Sequence, residues 1–354
     1  MFINSKNYID DIKTIASINI DWNNFTNKTI LITGATGLIG TFLVDLLMYR
    51  NSNYNNNITV YALNRNKETA KKRFNQYFDS PFFVSIQSDL QTSFELNVSV
   101  DYIIHGASNA HPIAYATDPI GTIITSVLGT KYILDFAYKQ NTIRTLFIST
   151  SEIYGENRGD TEFFKEDYCG YIDCNTLRAG YSEGKRTAEA LCQSYKNKYD
   201  INFVIARCCR IFGSTMGDDD SRSTSQFIKK TVNFEDIILK SNGEQKYSCC
   251  YVPDLCSSLL FLLLNGENGE AYNISDFSSS LSLYEIANIL TEYSGKKIIF
   301  DLPSSVEAIG YSKITKALLD SSKLQNLGWK PLYSIKDGLI RTVNILREIK
   351  NENN

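Results

Sequence analysis

Short apolar runs alternate with longer amphipathic stretches along the first 207 residues. The apolar runs predict buried strands at residues 30–33, 58–63, 82–87, 101–105, 145–149 and 203–207. The stretches between them carry apolar residues at helical spacing and predict helices at residues 8–18, 41–49, 67–78, 122–139 and 181–198. Because strands and helices alternate, the pattern predicts an α/β fold with a Rossmann-like, doubly wound parallel sheet.

The alternation becomes irregular after residue 207. The pattern there predicts helices at residues 227–232, 255–264, 283–293 and 335–349, and strand-like segments at residues 250–254, 271–274 and 297–300. We therefore expect one domain of residues 1–207, to which a segment of about residues 245–275 returns. Residues 208–244 and 276–354 are expected to form a smaller C-terminal substrate lobe.

The composition argues against several classes of function. The net charge of −3 gives no electrostatic case for binding nucleic acid or an anionic membrane. The longest apolar run, near residues 259–264, is too short to span a bilayer, and residues 1–11 lack the apolar core of a signal peptide. These features predict a soluble cytoplasmic protein.

The residues that bind metals or serve in hydrolases are few or poorly spaced. None of the eight cysteines form a CxxC pair, so we expect reduced thiols and no metal site. The two histidines, His105 and His111, lack the context of a catalytic triad and are expected at a strand end or in a loop. The acidic run at residues 218–220 is expected on the solvated surface.

A glycine-rich loop follows the first strand directly. The segment 34–40 reads GATGLIG, with Gly34, Gly37 and Gly40 at the turn, the close approach and the helix contact of a dinucleotide fingerprint. A pyrophosphate would lie at the N-terminus of the helix that follows. We therefore expect this loop, including Thr36, Leu38 and Ile39, to bind a dinucleotide.

The second and third strands end in residues that bear on the choice of dinucleotide. A carboxylate that would bind the ribose of NAD is expected near Asn64, but none is present, and Arg65 follows. Because a guanidinium suits phosphate geometry, this favours NADP slightly over NAD. Asp89 and Leu90, after the third strand, are expected near the adenine.

A tyrosine and a lysine one helical turn apart form the candidate catalytic pair. Tyr181 and Lys185 lie on one helix face, and Thr150 ends the fifth strand at the ligand-binding edge of the sheet. The Lys185 ammonium and a positive nicotinamide would lower the pKa of the phenol from about 10 towards neutrality. Tyr181 could then remove a hydroxyl proton while a hydride leaves the same carbon, with Thr150 holding the oxygen.

These motifs together resemble the extended short-chain dehydrogenase/reductase family of nucleotide-sugar enzymes. The resemblance covers roughly residues 27–331 and includes GATGLIG (34–40), HGAS (105–108), STSEIYG (149–155), YSEGK (181–185), YVPD (251–254) and LGWKP (327–331). It implies oxidation at C4 of a nucleoside-diphosphate sugar with a bound, regenerated NAD(P). It also implies that Ala107 contacts the cofactor and Ser108 the substrate.

The resemblance leaves the outcome of the reaction open. Glu152 resembles the C5 base of 4,6-dehydratases, with Ser151 helping at C6, and the TSE triplet is similar to that of GDP-mannose dehydratases. A 4,6-dehydratase is therefore expected first. The triplet and YSEGKR are also similar to UDP-glucuronate decarboxylases, the second alternative, and a C4 epimerase is third. A non-catalytic dinucleotide sensor is the alternative from another class, although the intact catalytic set argues against it.

Several positions depart from the family pattern. The decarboxylases carry an Arg before a Pro-Asp pair, whereas residues 316–320 read KALLD, with Lys316 or Lys313 as possible substitutes. Tyr247 stands where a family Arg grips the diphosphate. We expect Arg210 to supply that charge from the opposite wall of the site, or alternatively to form an ion pair within the fold. The resemblance also implies a homodimer in which helices 122–139 and 181–198 form a four-helix bundle.

Overall fold

The strands alternate with helices through the first two thirds of the chain. A computed structural model describes residues 1–92, 94–110, 117–276, 280–301 and 316–352. The strands of these residues are β1 Thr29–Thr33, β2 Thr59–Asn64, β3 Phe83–Gln87, β4 Tyr102–His105, β5 Arg144–Thr150, β6 Phe203–Cys208, β7 Arg210–Phe212, β8 Ile237–Leu239, β9 Lys246–Tyr251, β10 Ala271–Ile274, β11 Ser280–Ser282, β12 Ile298–Phe300 and β13 Lys316–Ala317.

Helices connect and cover these strands. They are α1 Lys6–Ala16, α2 Leu38–Tyr54, α3 Lys67–Phe74, α4 Pro119–Ile124, α5 Thr130–Lys139, α6 Ala179–Tyr199, α7 Ser223–Val232, α8 Val252–Asn265, α9 Leu283–Ser294, α10 Ser322–Asn326 and α11 Ile335–Glu352. A π-helical turn, Thr125–Gly129, joins α4 to α5, so the helix predicted at 122–139 begins earlier and is not regular.

Seven parallel strands form one twisted sheet in the order β3-β2-β1-β4-β5-β6-β10. The order reverses between β1 and β4, which is the topological switch point where doubly wound sheets bind ligands. The predicted Rossmann-like α/β fold is therefore confirmed. The returning strand β10 pairs with β6, while the proposed division of the chain into a domain and a lobe stays a prediction.

The central strand β1 shows why both faces of the sheet are covered. Ile30 and Ile32 point into the core cluster that contains α1, α2 and α8, whereas Leu31 belongs to the cluster under α5. All three side chains are buried because successive strand residues face opposite sides of a sheet that has helices on both. A run of apolar residues without alternation therefore encodes this strand.

Smaller strands pair outside the large sheet. β9 pairs with β7, β11 and β13, and β8 pairs with β12. Their lengths of two to six residues explain why the sequence pattern missed β7, β8, β11 and β13. The strand-like segment predicted at 250–254 is instead the end of β9 and the start of α8, which begins at Val252 with Pro253 in its first turn.

The helical stretch Pro119–Lys139 is, by length and composition, apolar enough to cross a membrane. Within the protein, 56% of its most apolar window is buried, and α4 and α5 pack against α6. Burial of this kind is typical of a core helix. The eight cysteines are unpaired, and among the residues described no group of three or more His, Cys, Asp or Glu side chains is placed to hold a metal ion.

A buried ion pair joins the ends of several elements of the large sheet. Arg207 at the end of β6 binds the Glu189 carboxylate of α6, with Nη2 to Oε2 at 2.7 Å, and the two side chains are only 13% and 10% exposed. Glu189 also accepts a hydrogen bond from Ser149 of β5 at 2.5 Å. Arg207 donates to Tyr154, which donates in turn to Asn273 of β10. The charged and polar groups named here are therefore paired with one another where β5, β6, β10 and α6 meet.

Replacing Arg207 with Met should destabilise the protein strongly. The substitution leaves the Glu189 carboxylate buried without its cation, which costs about 3–5 kcal/mol in comparable cases. Urea unfolding measures the loss, and the double variant R207M/E189Q should recover part of it. The control is K131M, which removes the exposed Lys131–Asp135 pair and should cost less than about 1 kcal/mol. Equal costs for the two single variants would contradict the role given to the buried pair.

Candidate active site

One large cleft lies at the carboxyl ends of the parallel strands, between them and the small strands of the second half. Its volume is about 2070 Å³. Every residue that the sequence suggested for the site lines it: Gly34, Thr36, Gly37, Leu38, Ile39, Gly40, Asn64, Arg65, Asp89, Leu90, Ala107, Ser108, Thr150, Ser151, Glu152, Tyr181, Lys185, Arg210 and Tyr247. The structure thus brings these residues to one cavity, while their individual roles stay predictions.

The glycine-rich loop is compact enough that side chains would not fit. Gly34 has φ +72°, and its carbonyl oxygen accepts a hydrogen bond from the Gly37 N–H at 3.0 Å. A Cβ on Gly40 would lie 2.4 Å from that same carbonyl oxygen, so only glycine lets α2 start this close to the loop. Gly37 is the N-cap of α2 and has no side chain to cap it. The unsatisfied N–H groups of the first turn therefore face the cleft, and they suit a pyrophosphate.

The end of β2 carries a buried amide beside an exposed guanidinium. The Asn64 amide nitrogen donates to the Ala62 carbonyl and to Ser85 Oγ at 3.1 and 3.3 Å. Asn64 Oδ1 is buried and has no hydrogen-bond partner among the described residues. Arg65 is exposed at the rim. This strand end therefore combines a buried neutral amide with an exposed cation.

Residues after β3 and β4 complete the wall on this side. Leu90 is buried and Asp89 is exposed, with its carboxylate accepting from the Gln91 N–H. Thr33 Oγ1 accepts from the backbone N–H of Gly106 and Ala107 at 3.1 and 3.0 Å, which holds the segment after β4 against β1. Ser108 Oγ is buried without a partner in the described structure. A ligand hydroxyl or phosphate could satisfy it.

His105 is a packing residue, as expected from its position at a strand end. It closes β4, and its two ring nitrogens lie 2.8 Å from Thr33 Oγ1 and 3.1 Å from Thr130 Oγ1. Burial, and then the nearby Lys185 charge, lowers its pKa to about 3, so the imidazole is neutral at pH 7. His111 lies outside the described residues.

Thr150 and Tyr181 meet at the floor of the cleft. Thr150 is the last residue of β5, and its hydroxyl accepts from the Glu152 N–H at 3.2 Å. A hydrogen bond with Thr150 favours the ionised phenol of Tyr181. Burial, and then the Glu152 carboxylate, act more strongly and raise the pKa of Tyr181 above its ordinary value. The hydroxyl and the phenol are thus paired as an alcohol-binding site requires.

Lys185 is buried behind this pair. Its ammonium donates to the Ile148 carbonyl oxygen at 2.8 Å and lies over the Phe147 ring at 4.7 Å. Burial lowers the pKa of Lys185 to about 8. The decrease expected for the Tyr181 pKa is therefore not produced by the protein's own groups, because burial and Glu152 outweigh the groups that favour ionisation. Such a decrease depends on the positive charge of a nicotinamide beside the phenol.

Two residues that the sequence reasoning missed fix Glu152. Its Oε2 accepts from Ser182 Oγ at 3.3 Å, and its Oε1 lies 3.6 Å from Arg178 Nη2. Arg178 comes one residue before α6, three positions from Tyr181, so both side chains reach the same end of the cleft. In the sequence, only this spacing from Tyr181 could have pointed to Arg178 as a site residue. The Glu152 carboxylate, whose charge acts on the Tyr181 phenol, therefore has the Arg178 guanidinium beside it, and Ser151 lines the same cleft.

Arg210 and Tyr247 lie together on one wall, which corrects the expectation of opposite walls. The Arg210 guanidinium lies 3.2 Å from the centroid of the Tyr247 ring. The register that pairs Arg210 of β7 with Cys249 of β9 brings the two side chains to the same face. No carboxylate of the described residues lies within ion-pair distance of Arg210, so the alternative of an internal ion pair is wrong there.

The acidic run is only partly on the surface. Asp218 and Asp219 are exposed, but Asp220 is buried, and its carboxylate accepts from Arg222 and from Ser225 Oγ. Arg222 and its backbone hydrogen bonds lower the pKa of Asp220 against the effect of burial. The expectation failed for Asp220 because a cation two residues away neutralises it. Arg222 also lines the cleft and is a third residue that the sequence reasoning missed.

Comparisons with known proteins agree with this arrangement. The model of the NAD dependent epimerase/dehydratase family matches residues 30–275. UDP-glucuronic acid decarboxylase 5 of Arabidopsis thaliana is 32% identical over 317 residues, which cover 89% of this chain and 88% of that protein. UDP-glucuronic acid decarboxylase 1 of Xenopus tropicalis is 32% identical over 324 residues, which cover 91% of this chain and 72% of that protein.

Solved structures share the fold at low identity. UDP-glucose 4-epimerase of Thermotoga maritima, solved with UDP-glucose, has a TM-score of 0.77 and 19% identity, covering 91% of this chain and 99% of that one. UDP-glucuronic acid 4-epimerase of Bacillus cereus was solved in complex with UDP-glucuronic acid and NAD. It has a TM-score of 0.75 and 22% identity, and the match covers 91% of this chain and 99% of that one. From the family match and the relatives of similar length, the chain is an enzyme that belongs to the NAD dependent epimerase/dehydratase family.

Proposed function

We propose that the enzyme decarboxylates a nucleoside-diphosphate hexuronate through a 4-keto intermediate. The observation that carries the proposal is Arg178, a guanidinium that lies beside Glu152 at the reacting end of the cleft. A uronate carboxylate needs a cation there because it would otherwise face Glu152 alone. The names of the similar decarboxylases support the same outcome, which moves ahead of the 4,6-dehydratase that the sequence favoured.

The first step is oxidation at C4. Tyr181 takes the hydroxyl proton, and Thr150 holds the oxygen through the transfer. The glycine loop suits a dinucleotide, since a Cβ on Gly40 would clash with the loop and the backbone can therefore approach a pyrophosphate closely. When bound, a nicotinamide dinucleotide supplies the hydride acceptor at C4 and later returns the hydride. Its positive charge also lowers the pKa of Tyr181, as the base requires.

The second step breaks the C5–C6 bond. A ketone at C4 makes the hexuronate a β-keto acid, so carbon dioxide leaves while the bonding electrons move into an enolate at the C4 oxygen. Thr150 and Tyr181 donate hydrogen bonds to that oxygen. A proton from water then adds at C5, relayed through the Glu152 carboxylate. For each sugar, the overall reaction consumes one proton and releases one carbon dioxide.

Arg178 has a distinct part in this sequence. It binds the C6 carboxylate in the ground state, when the charge is on the substrate, and it has no role at C4. A guanidinium suits this task because its parallel N–H groups match a carboxylate. Its side chain is 45% exposed and its contact with Glu152 is loose, at 3.6 Å, so it can turn to a ligand at little cost.

A 4,6-dehydratase is the second candidate. The Glu152 charge raises the pKa of the Tyr181 phenol, and both side chains line the cleft, so this alternative assigns the C5 proton of a 4-keto hexose to Glu152. Glu152 would then remove that proton while the C6 hydroxyl leaves as water, with Ser151 as the donor. An epimerase, the third alternative, has no task for Glu152 or Arg178. The sensor alternative has no support from the relatives, which are named as enzymes.

We also infer a homodimer through a four-helix bundle. Large apolar side chains lie exposed on α4 and just before α6, where Ile120 and Leu177 are 75% and 73% exposed. Ile123 of α4 is exposed as well, although it packs on Gly180 of α6 on its inner side. A second copy would cover this surface. Sedimentation of the purified protein tests the inference.

Product mass spectrometry decides among the reactions. The enzyme is incubated with UDP, dTDP, GDP and CDP sugars, each as hexose and hexuronate. We expect a hexuronate to lose the mass of carbon dioxide while hexoses stay intact. Loss of water from a hexose would replace the proposal with the dehydratase, and an isobaric product would replace it with the epimerase. If the enzyme turned over none of these sugars, the result would count against the decarboxylase, the dehydratase and the epimerase alike.

Replacing Arg178 with Gln should weaken binding of the hexuronate selectively. We expect KM for the nucleoside-diphosphate hexuronate to rise about 10- to 100-fold, since one charge-assisted contact is lost. Binding of the free nucleoside diphosphate, measured by calorimetry, should stay the same. The matched control is R158Q, because Arg158 is exposed and does not line the cleft. Equal losses for the hexuronate and the nucleoside diphosphate would mean that Arg178 only supports the site.

Replacing Arg210 with Ala should weaken binding of the diphosphate itself. Arg210 has no carboxylate partner in the described structure and faces the cleft from the Tyr247 ring, so we assign it to the diphosphate. KM for the substrate and Kd for the nucleoside diphosphate should both rise about 10-fold or more. R347A is the control, because Arg347 also lies over a ring, that of Phe234, but does not line the cleft. An unchanged Kd would refute the assignment.

A further inference from the structure

A loop from the second half of the chain contacts the start of α2, where the pyrophosphate of a dinucleotide would lie. This loop, residues 215–220, follows β7 and is called the strap; its residues 216–220 line the cleft. Thr215 Oγ1 donates to the Leu38 carbonyl oxygen at 2.6 Å, and Leu38 is the first residue of α2. One end of the strap is therefore fixed directly beside the glycine-rich loop.

The other end of the strap is fixed as well. The buried Asp220 carboxylate accepts from Arg222, and Lys229 of α7 donates to the backbone oxygens of Asp218 and Asp220 at 2.7 and 2.9 Å. Asp218 and Asp219 are nevertheless exposed, and no ion pair of the described structure includes either of their carboxylates. The strap thus combines a held backbone with two acids that are free to pair.

Two cations of α3 line the same cleft. Neither Lys72 nor Arg73 forms an ion pair with a carboxylate within the described ranges. The Arg73 guanidinium lies 4.9 Å from the centroid of the Phe2 ring, which supports it from the N-terminal side. Burial lowers the pKa of Arg73, and the charge of Asp218 is among those that oppose this decrease. The acids of the strap and the cations of α3 are therefore close enough to act on each other.

The charges of the two elements are complementary. Residues 67–73 of α3 carry four cations and one acid, Glu68, so the helix has net positive charge. An ion pair between exposed side chains contributes little by itself, because both ions are well hydrated. A ligand that fills the cleft excludes water from the space between the two elements, which strengthens the attraction across it. Pairing of the strap with α3 should therefore depend on an occupied cleft.

We propose that Asp218 and Asp219 pair with Arg73 and Lys72 over a bound dinucleotide and form a latch that slows its release. The backbone of the strap stays in place, and only the side chains turn. The inference goes beyond the proposed reaction, since it concerns how long the cofactor stays bound and holds for any sugar. Slow release suits a reaction in which one dinucleotide accepts a hydride and later returns it.

The release rate of NADH tests the latch without a sugar. The purified enzyme is loaded with NADH, and a stopped-flow mixer adds excess ADP-ribose, which occupies each emptied site. The decay of NADH fluorescence gives the release rate. We expect D218N/D219N to release NADH about 3- to 10-fold faster than the unchanged enzyme, because two charge pairs are lost. An unchanged release rate would overturn the proposal.

A second variant separates the latch from the overall charge of the protein. The matched control is D79N/E267Q, which removes two acids from exposed positions that do not line the cleft. This control should release NADH at the rate of the unchanged enzyme. Release as fast as that of D218N/D219N would reduce the effect to net charge and leave no latch.

Exchanging the charges of one pair tests whether the two elements meet. K72D and D219K should each release NADH faster, because each places like charges opposite one another. The double variant K72D/D219K restores opposite charges and should release NADH more slowly than either single variant. If the double variant were instead faster than both, the two effects would be independent and the pairing of Lys72 with Asp219 would be wrong.

Salt provides a further readout on the unchanged enzyme. Raising the ionic strength from about 0.1 M to about 1 M shortens the screening length from about 10 Å to about 3 Å. NADH release should become faster, and it should change less in D218N/D219N. Equal salt dependence of the two proteins would contradict the pairing. No measurement of release includes a sugar, so failure of the latch and failure of the proposed reaction remain distinguishable.

Discussion

The buried pair of Arg207 and Glu189 is the interaction on which the site depends most. Taking two charges out of water is costly, and here the cost is offset by close geometry and by neutral partners on both sides. Glu189 binds Ser149, the residue before Thr150, and it lies four residues after Lys185 on the same helix. The pair therefore fixes β5 relative to α6. Thr150 and Tyr181 come from these two elements, and their contact follows from how the elements are joined.

The sequence was most informative where local chemistry determines structure. The strands of the large sheet are continuous apolar runs because helices cover both faces, and the loop at Gly34 to Gly40 needs glycine for steric reasons. Contacts between distant segments could not be read in this way. Arg178 meets Glu152 only after β5 and α6 have packed together, and Arg210 meets Tyr247 through the pairing of β7 with β9. Strands as short as β7 carry too few residues to show a period.

The electrostatics of the site also explain why a tyrosine can remain inert until it is needed. Burial and Glu152 keep the Tyr181 phenol protonated, and the Lys185 ammonium donates a hydrogen bond to the Ile148 carbonyl oxygen. The Tyr181 phenol would ionise more readily beside a positively charged nicotinamide than beside a reduced, neutral one. In the proposed reaction, Tyr181 would therefore act as a base while the cofactor is oxidised and as an acid after reduction. This order suits a reaction that removes and then restores a proton on one oxygen.

The contact between α1 and α11 has a consequence for how the chain is made. Asp11 is buried and binds Arg341 at 2.6 Å, 330 positions further along, and it also accepts from Tyr251. A ribosome that adds residues from the N-terminus exposes α1 long before either partner exists. During that interval the Asp11 carboxylate is better hydrated than buried, which opposes the docking on α2 that Tyr8 and Ile12 favour. The first helix of the sequence is thus expected to be among the last to settle during synthesis.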